Sequence, residues 1–591
     1  MKLYLILHRF FIRFLVVFML ICQCNMVGFA QYNLNLDFEL TYNDATSPRN
    51  WDRKGSAISL DSLEKHHGKY SLRTEMSGMP NRNNRGEFQG ILPVEYFAGK
   101  QVEYKGWIKT KDIKNGYAGL WIKVLGGNFD TLGFDNMNDR GLTGENDWTQ
   151  VSITTDISKD AVQIEYGGFN NGSGVAWFDN FELFVNGEKL IEPEHKTSLS
   201  QNELVTLKKY VYPLRTFEPD GGDTKDLQAL DRLIGSGKVI ALGEVTHGSN
   251  EIFKMKNRIV QYLAANQEFD IFSFEWYMPE SYKLNDYTVR GEGDPKKLIT
   301  GMFWRTEELL NLIEWMRSFN RLKQRITYTG FDTGDHNGPI IELLAAFKEN
   351  EAEQLRITEL KKKLDQIRTR SVMNNWITIS ANENEVKDID SILSLVQNSI
   401  EVAPIEISKK YWLQQNIVII KQCIRGLSIN LWRDKCMADN FLWIKEQNPN
   451  SKFIISAHNT HIKKTSQMMG YHLAQNLDDD YVTIGCTFYE GNFTGGGRNG
   501  LTSYEAIQAY PGTLEFLLEQ LNEPIFILDL KKIKSDNNND VTWLKERLPY
   551  RRTGNAGGNP FEFEESKITD DFDYLIFIRT SSPTTLLPNP N

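Results

Sequence analysis

The stretch KVIALGEVTHGSNEIFKMKNRIVQYLAAN, residues 238–266, decides the fold of the larger part of this 591-residue chain. It begins with the apolar run VIAL, passes through the polar segment GEVTHGSNE, and ends with apolar residues at helical spacing: Ile252, Met255, Ile259 and Leu263. A fully apolar strand followed by a loop and an amphipathic helix is typical of a sheet covered by helices on both faces. We therefore predict an α/β domain built around this unit.

Six more apolar runs continue the pattern toward the C-terminus. They are IFSFEW (271–276), ITYTGFD (326–332), KFIISAH (452–458), YVTIGCTFYEG (481–491), PIFILDL (524–530) and DYLIFIRT (573–580). Residues 339–430 are charged and rich in Leu and Ile but carry no strand signal, which predicts a helical insertion that could roof a site. The expected domain covers residues 204–585, with a largely parallel sheet, and residues 586–591 form a tail.

The N-terminal part follows a different pattern. Short alternating runs separated by Gly, Asn and Asp predict an all-β sandwich over residues 31–187, joined to the α/β domain by a polar linker at 188–203. The segments NLDFE, HGKYSL and WFDNFELFVNG resemble the galactose-binding-like jelly rolls of carbohydrate-binding modules. A glycan is therefore a candidate ligand of the sandwich. Trp51, Trp121 or Trp148 could stack on sugars, but tryptophan in a sandwich more often belongs to the core.

The first thirty residues have the plan of a secretory signal peptide. Basic residues extend to Arg13, an apolar stretch covers Phe14–Cys22, and the small residues Gly28 and Ala30 precede the expected cleavage. A lipid anchor at Cys22 or Cys24 is the less favoured alternative. No later segment has the roughly 20 consecutive apolar residues of a membrane-spanning helix. We expect an extracytoplasmic protein, whether periplasmic, secreted or at the cell surface.

Charge and cysteine content narrow the function further. The net charge is -10 and no long basic run occurs, which argues against a nucleic-acid partner and favours small molecules or glycans. Outside the signal peptide only Cys423, Cys436 and Cys486 remain. Three cysteines are too few for a disulfide framework, so we expect all of them in the core.

Ionisable residues follow the predicted strands of the α/β domain. Their positions are Glu244, with His247 and Glu251 just after it, then Glu275, Asp332, His458 and His461. The carboxyl ends of parallel strands meet at one edge, where ligands of such sheets bind. A carboxylate here could merely cap a helix, but a carboxylate directly after an apolar run needs a partner, and the histidines supply one. The pattern indicates an enzyme.

The segments ALGEVTHGSNEIFKMKNRIVQYL, FSFEW, GMFWRTEELLNLIEWMRSFN, GFDTG, RDKCMADNFLWI and SAHNTHIKK resemble, in this order, the erythromycin esterase family. The resemblance extends over about residues 204–581. It implies a carboxylic ester hydrolase without a metal or other cofactor, in which a histidine activates water. By position, the implied catalytic residues are His247, Glu244, Glu275, His458 and His461. Glu251 and Glu308 match further acidic positions of the family.

The chain departs from the better-known members that inactivate macrolide antibiotics. Lys256 stands where they carry arginine, which keeps the charge but loses the bidentate fork, and an added β-sandwich suggests another natural substrate. We assign His247 as the general base, oriented by Glu244 or Glu275. Lys256, Asp332 and the acidic pair Glu251 and Glu308 are candidates for substrate or oxyanion contacts. The substrate is expected to be a macrolide-like lactone, an acylated carbohydrate or another natural-product ester.

Three alternatives compete with this hypothesis. A serine hydrolase of the α/β-hydrolase type would need the G-x-S-x-G elbow, which the sequence lacks. A metal-dependent hydrolase could use the same histidines and carboxylates as zinc ligands. A glycan- or ligand-binding surface protein without activity would keep the fold but lose nothing when His247 is replaced.

Overall fold

The computed structural model describes residues 33–588, except 43–46, 56, 78–83, 128–129, 220–221, 323–324, 335, 374–380, 425–429, 498–499 and 559–560. The predicted signal peptide and the end of the predicted tail lie outside these residues. The chain divides into two compact units, Met1–His195 and Lys196–Asn591. This boundary falls inside the predicted linker, residues 188–203.

The first unit is built from β-strands that pair antiparallel throughout its described residues. The strand order is β1-β4-β8-β5-β9-β3-β2, with β6 and β7 paired to β5 and β10 paired to β9. The strands are β1 Asp52–Gly55, β2 Ile58–Asp61, β3 Ser71–Met76, β4 Asn84–Leu92, β5 Gln101–Leu125, β6 Thr131–Asp135, β7 Leu142–Asp156, β8 Gln163–Asn170, β9 Ser173–Val185 and β10 Glu188–Lys189, with one short helix, α1 Val94–Phe97.

Alternation along β5 explains the core of this unit. Val102, Tyr104 and Ile108 are buried, while Glu103, Lys105 and Trp107 lie on the other face. The long strand pairs first with β9 and then with β8, and so connects both sides of the core. Of the tryptophans considered for sugar stacking, Trp51 and Trp121 are buried. The third, Trp148, is half-buried.

The second unit has a mixed sheet in the order β11-β18-β21-β16-β12-β15-β13-β14, with β17 paired to β16. Its strands are β11 Val211–Pro213, β12 Val239–Glu244, β13 Ile271–Tyr277, β14 Thr327–Asp332, β15 Phe453–His458, β16 Tyr481–Gly497, β17 Gly500–Glu505, β18 Ile525–Asp529 and β21 Tyr574–Ser581, beside a separate hairpin of β19 Leu548–Arg551 and β20 Phe563–Ser566.

The prediction of a largely parallel sheet needs correction. The six strands from β21 to β14 are parallel, but β11, β17 and β18 run antiparallel to their neighbours. The run PIFILDL forms β18, which pairs antiparallel with β21. An apolar run reports burial on both faces of a sheet and not the direction of the strand, so the sequence could not distinguish the two.

Helices cover both faces of the mixed sheet, with one apolar cluster on each side. The helices of this unit are α2 Gln201–Leu207, α3 Ala229–Ile234, α4 Asn250–Asn266, α5 Ser281–Arg290, α6 Pro295–Leu298, α7 Glu307–Arg321, α8 Asn337–Ala346, α9 Glu351–Met373, α10 Glu383–Val402, α11 Ile407–Ile424, α12 Asn430–Gln447, α13 Asn459–Ile462, α14 Met469–Leu477, α15 Leu514–Glu519, α16 Leu530–Ser535 and α17 Ile568–Asp571. In the described part of the chain, no helix combines the length and apolar character needed to cross a bilayer.

The predicted insertion at residues 339–430 contains the helices α8 to α11 and the beginning of α12. These helices pack on one another around an apolar core of their own, which includes Ile340, Leu360, Leu393 and Ile417. Helix α12 also contacts the sheet, because the Asn440 side chain donates a hydrogen bond of 3.0 Å to the Phe331 carbonyl. The insertion is therefore anchored beside the carboxyl end of β14.

Candidate active site

Four strands bring ionisable side chains to the carboxyl edge of the sheet. Glu244 and His458 end β12 and β15 and lie opposite each other in the parallel ladder. Glu275 lies near the end of β13, and Asp332 ends β14. All four side chains are buried. Burying this many charged groups is costly unless each one has a partner, so their contacts decide what the edge can do.

His247 is held by a chain of charged groups that we call the base chain, formed by Lys256, Glu244 and His247. His247 Nδ1 lies 3.2 Å from Glu244 Oε1, and the Lys256 ammonium contacts Glu244 Oε2. Burial alone would raise the pKa of Glu244, but Lys256 and His247 together lower it below its ordinary value. Glu244 is therefore an anion that accepts the Nδ1 proton of His247, and Nε2 is left as the basic nitrogen.

The loop that carries His247 is shaped by close backbone contacts. A Cβ on Gly248 would lie 1.9 Å from the Thr494 carbonyl oxygen, so only glycine fits there. The Gly248 carbonyl accepts hydrogen bonds from the backbone N–H groups of Thr494 (2.9 Å) and Thr584 (3.0 Å). Ser249 then caps helix α4 by accepting from the Ile252 N–H. These contacts fix the position from which His247 reaches Glu244.

His458 has both ring nitrogens engaged with the backbone. Its Nε2 donates to the Val245 carbonyl at 2.9 Å, and its Nδ1 accepts from the Thr460 N–H at 3.2 Å. Burial, together with the nearby His247, lowers the pKa of His458 to about 4. The ring centroids of His247 and His458 are 5.6 Å apart. His458 is thus a neutral group that supports the His247 loop, and its assignment as a catalytic residue stays a prediction.

His461 has the opposite environment. Its Nδ1 lies 2.7 Å from Asp434 Oδ1, and its Nε2 lies 3.3 Å from Glu275 Oε1. Although burial alone would lower it, the carboxylates of Glu275 and Asp434 raise the pKa of His461 to about 10. Arg433 Nη1 is also 3.2 Å from Nε2, which would suit a neutral ring. We favour the imidazolium, because two carboxylates contact the ring and Arg433 is itself paired with a carboxylate.

Arg433 joins this second group of charges, which we call the cation network: Arg433, Asp332, Glu275, His461 and Asp434. Its Nη2 donates to Asp332 Oδ2 at 2.6 Å and to Glu275 Oε1 at 3.1 Å, and its Nε donates to Asp332 Oδ1 at 3.2 Å. Burial would raise the pKa of Glu275, but His461, His247 and Arg433 hold that pKa well below its ordinary value. The network fixes three carboxylates around one guanidinium and one imidazolium.

Sequence reasoning missed Arg433 and Asp434 as site residues. Both lie in the segment RDKCMADNFLWI, which served only as a family motif and was not predicted to follow a strand. Arg433 is separated from Asp332 by 101 positions and from Glu275 by 158. The adjacent arginine and aspartate at the start of a helix were the available signal, but their partners become visible only when helix α12 packs beside β14.

Two aromatic residues that were not assigned a role lie against His247. The His247 ring is 4.3 Å from the Trp304 ring and 6.0 Å from the Phe303 ring, measured between centroids. Both residues belong to the segment GMFWR, in a 3-10 turn at Met302–Trp304 that precedes helix α7. They supply an apolar wall on one side of the histidine, which would limit the access of bulk water to it.

Glu251 and Glu308 were predicted to contact substrate, and the structure engages both with the C-terminal segment. Glu251 Oε2 accepts the Ser582 N–H at 2.6 Å, and Glu308 Oε1 accepts the Thr585 N–H at 3.0 Å. Burial raises the pKa of Glu308 above its ordinary value. Residues 582–588, the last three of which belong to the predicted tail, therefore run across the starts of helices α4 and α7. A substrate role for the two glutamates stays a prediction.

Glu244, His247 and Glu275 could also hold a metal ion, since one ligand atom from each lies within 4.8 Å of the others. The fit to a divalent cation is poor, however. The Lys256 ammonium already neutralises Glu244, and His247 presents its Nδ1 to the same carboxylate. A divalent ion would have to displace or repel this ammonium. Cys423, Cys436 and Cys486 are buried, as expected, and lie outside this group.

The fold and the site together define an α/β protein with a histidine–carboxylate centre at the carboxyl edge of its sheet. The profile of a family described as "Erythromycin esterase" matches residues 264–581, which is more than half of the chain. The chain belongs to the erythromycin esterase family, and its predicted resemblance to that family is confirmed.

Individual relatives agree with this family. Erythromycin esterase type II of Escherichia coli is 28% identical over 320 residues, covering 47% of this chain and 75% of that protein. The putative hydrolase YbfO of Bacillus subtilis (strain 168) is 22% identical over 425 residues, covering 64% of this chain and 91% of that protein. A Bacillus cereus protein of known crystal structure is 25% identical, with a TM-score of 0.58 over 66% of this chain and 99% of that one. The family and the first two relatives support a hydrolase.

Proposed function

We propose that the protein is an exported hydrolase that cleaves an ester or lactone with a water molecule activated by His247. The observation that carries this proposal is the base chain. Glu244 is ionised by its contact with Lys256 and lies on Nδ1 of His247, so the ring is held with Nε2 free to accept a proton. Trp304 and Phe303 cover one side of that ring.

The reaction then has two proton transfers. In the first, His247 Nε2 takes a proton from water while the water oxygen bonds to the carbonyl carbon, and the carbonyl oxygen becomes an oxyanion. In the second, the tetrahedral intermediate breaks its bond to the alkoxide, which takes the proton back from His247. Glu244 stabilises the imidazolium that exists between the two steps. General-base assistance of this kind contributes roughly a hundred- to ten-thousand-fold in rate.

The cation network stabilises the negative charge that develops on the carbonyl oxygen of the substrate. Arg433 and His461 are the positive groups closest to Glu275 on the same edge. Fixed positive groups in a water-poor site stabilise an oxyanion without having to reorganise. His458 suits this task less well, because both of its ring nitrogens already bond to the backbone. We assign oxyanion stabilisation to the His461 and Arg433 side of the site.

The substrate class and the location are parts of the same proposal. A macrolide-like lactone, an acylated carbohydrate or another natural-product ester would suit a hydrolase of this family. Binding of a glycan by the N-terminal unit would raise the local concentration of carbohydrate esters around the protein. The basic and apolar pattern of residues 1–30 supports export from the cytoplasm. An extracytoplasmic enzyme could meet both antibiotics and polysaccharides.

The test is hydrolysis of a panel containing erythromycin and acetylated sugars by the full chain and by the His247→Asn variant. We expect turnover that falls at least a hundredfold in the variant and survives a chelator. His472→Asn, a half-buried histidine outside the site, is the matched control and should keep full activity. Activity lost to the chelator and restored by zinc would replace the proposal with metal hydrolysis. A folded protein that turns over no ester of the panel would favour the binding-protein alternative.

A further inference from the structure

The chain continues beyond β21 as a segment that we call the strap, residues 582–588. The first half of the strap pairs with the loop after His247 as a short antiparallel strand would. This half is held by two backbone hydrogen bonds and one antiparallel bridge: Asn250 N–H to the Ser582 carbonyl (2.9 Å), Thr584 N–H to the Gly248 carbonyl (3.0 Å), and Ser249 opposite Pro583. The loop of the proposed base is therefore attached to the strap by its backbone.

The second half of the strap pairs in the same way with the segment after Trp304. It is again held by two backbone hydrogen bonds and one antiparallel bridge: Glu307 N–H to the Thr585 carbonyl (2.8 Å), Leu587 N–H to the Arg305 carbonyl (2.8 Å), and Thr306 opposite Leu586. The Leu587 side chain is buried in the apolar cluster against which Trp304 packs. One continuous segment thus joins the His247 loop to the turn that carries its aromatic wall.

Thr584 is the buried centre of the strap. Its hydroxyl donates to the Thr494 hydroxyl at 3.0 Å, and the Thr494 hydroxyl donates to the Thr584 carbonyl at 3.3 Å. Both threonines also donate their backbone N–H to the Gly248 carbonyl, Thr494 at 2.9 Å and Thr584 at 3.0 Å. The residue next to His247 is therefore held by two N–H groups whose side chains are bonded to each other, and it cannot shift without breaking several hydrogen bonds.

The position of this loop matters because the His247 ring has neighbours on two other elements. Its Nδ1 lies 3.2 Å from Glu244 at the end of β12, and its ring lies 4.3 Å from Trp304 between centroids. Helices α4 and α7 also contact each other, since Asn257 Nδ2 donates to the Glu308 carbonyl at 2.8 Å. That contact lies about two turns into helix α4. The strap, by contrast, holds the loop before the helix.

We propose that the strap is a positioning element of the active site, with Thr584 as its central residue, and that it sets the position of His247 relative to Trp304. This inference rests on the proposed hydrolysis by His247. A shift of about 1 Å in a catalytic group can lower a rate roughly a hundredfold. A strap with only a structural role would change the free energy of unfolding but would leave the two segments that it binds independent of each other.

Hydrogen–deuterium exchange of the full chain tests this coupling without any substrate. Thr584→Val keeps the volume and the backbone N–H but removes the hydroxyl, which acts on the loop side. Thr585→Pro removes the N–H that Glu308 accepts at 3.0 Å, which acts on the helix α7 side. We expect each variant to speed exchange roughly two- to tenfold in both segments, residues 247–252 and 303–308. Faster exchange only in the segment beside the changed residue would overturn the proposal.

Steady-state kinetics on the best ester of the panel tests the effect on the reaction. In Thr585→Pro, kcat should fall roughly ten- to hundredfold while KM changes less than about twofold, because the base moves and substrate contacts stay. Thr584→Val should show a smaller loss of the same kind. Thr584→Ser keeps the hydroxyl and Thr585→Ser keeps the N–H, so both should restore full activity.

Two outcomes separate this proposal from the proposed function. An unchanged kcat in both Thr584→Val and Thr585→Pro would overturn the positioning role, even if the protein is an esterase. If the unchanged protein turns over no ester, the proposed function fails, and the exchange measurement alone then decides whether the strap couples the two segments.

Discussion

His247 and His461 lie at the same edge of one sheet, yet their surroundings prepare them for different tasks. His247 contacts one carboxylate, Glu244, whose charge is already balanced by Lys256. His461 lies between two carboxylates, Glu275 and Asp434. The first arrangement leaves a nitrogen that can gain and lose a proton, and the second holds a positive charge in place. The number and neutralisation of the neighbouring carboxylates therefore separate a base from a fixed cation.

The largest expected effect comes from breaking the base chain at Glu244. Glu244→Gln keeps the shape but removes the anion that selects the Nδ1 proton of His247, so kcat should fall roughly a hundred- to ten-thousand-fold with a smaller change in KM. Steady-state kinetics on the best ester of the panel would measure it. Glu314→Gln is the matched control, because the exposed Glu314 accepts a hydrogen bond from the Tyr287 hydroxyl and has no contact with His247. Equal losses in both variants would mean that the base chain has no special role.

A smaller effect is expected in the cation network. Arg433→Lys keeps the charge but cannot bond Asp332 through two nitrogens and reach Glu275 as well, so kcat should fall roughly ten- to hundredfold. A double-mutant cycle with Asp332→Asn should show strong coupling, since the two side chains share two hydrogen bonds. The exposed Arg321→Lys change on helix α7 should have no effect. Additive losses in the cycle would contradict the network.

The two pKa shifts predict opposite pH windows for stability. The pKa of His461 is raised to about 10, so its contribution is fully present below the unfolded value near 6.5 and is lost as the pH rises toward 10. The pKa of His458 is lowered to about 4, so its contribution is present above about 6.5 and is lost as the pH falls toward 4. Each is worth on the order of a few kcal/mol in the free energy of unfolding.

Urea unfolding across this pH range would test the assignment. His461→Asn should flatten the alkaline part of the stability curve, and His458→Asn should flatten the acidic part. If His461→Asn left the alkaline slope unchanged, the ring would be neutral in the folded protein and Arg433, which donates toward the same nitrogen, would be its main partner.

The smallest effect is expected where the C-terminal segment crosses the start of helix α7. Glu308→Gln keeps an oxygen that can accept the Thr585 N–H, so kcat/KM should change less than about threefold and the unfolding free energy by about 1 kcal/mol. Activity assays and chemical denaturation would measure the two quantities. A loss of a hundredfold or more would instead place Glu308 in the substrate site, as its position in the family motif suggested.

The amino-acid sequence determined much of this protein by itself. The apolar runs located seven strands of the second unit, the alternating runs indicated a β-rich first unit, and the positions after the strands identified Glu244, Glu275, Asp332 and His458 as members of one edge. These features are local: burial of a run and its periodicity are written in consecutive residues, and parallel strands end at a common edge.

The tertiary structure alone decided which of these groups touch. Each of the decisive contacts joins segments that are far apart in the chain. Strand β18 pairs antiparallel with β21, and Arg433 pairs with Asp332 and Glu275. Glu251 and Glu308 accept hydrogen bonds from the segment 582–588. A side chain's protonation depends on the charges within a few ångströms of it, and that neighbourhood is set by packing. The sequence could therefore identify three candidate histidines. Only the residues packed around them distinguish His247 as a base, His458 as a neutral support and His461 as a fixed cation.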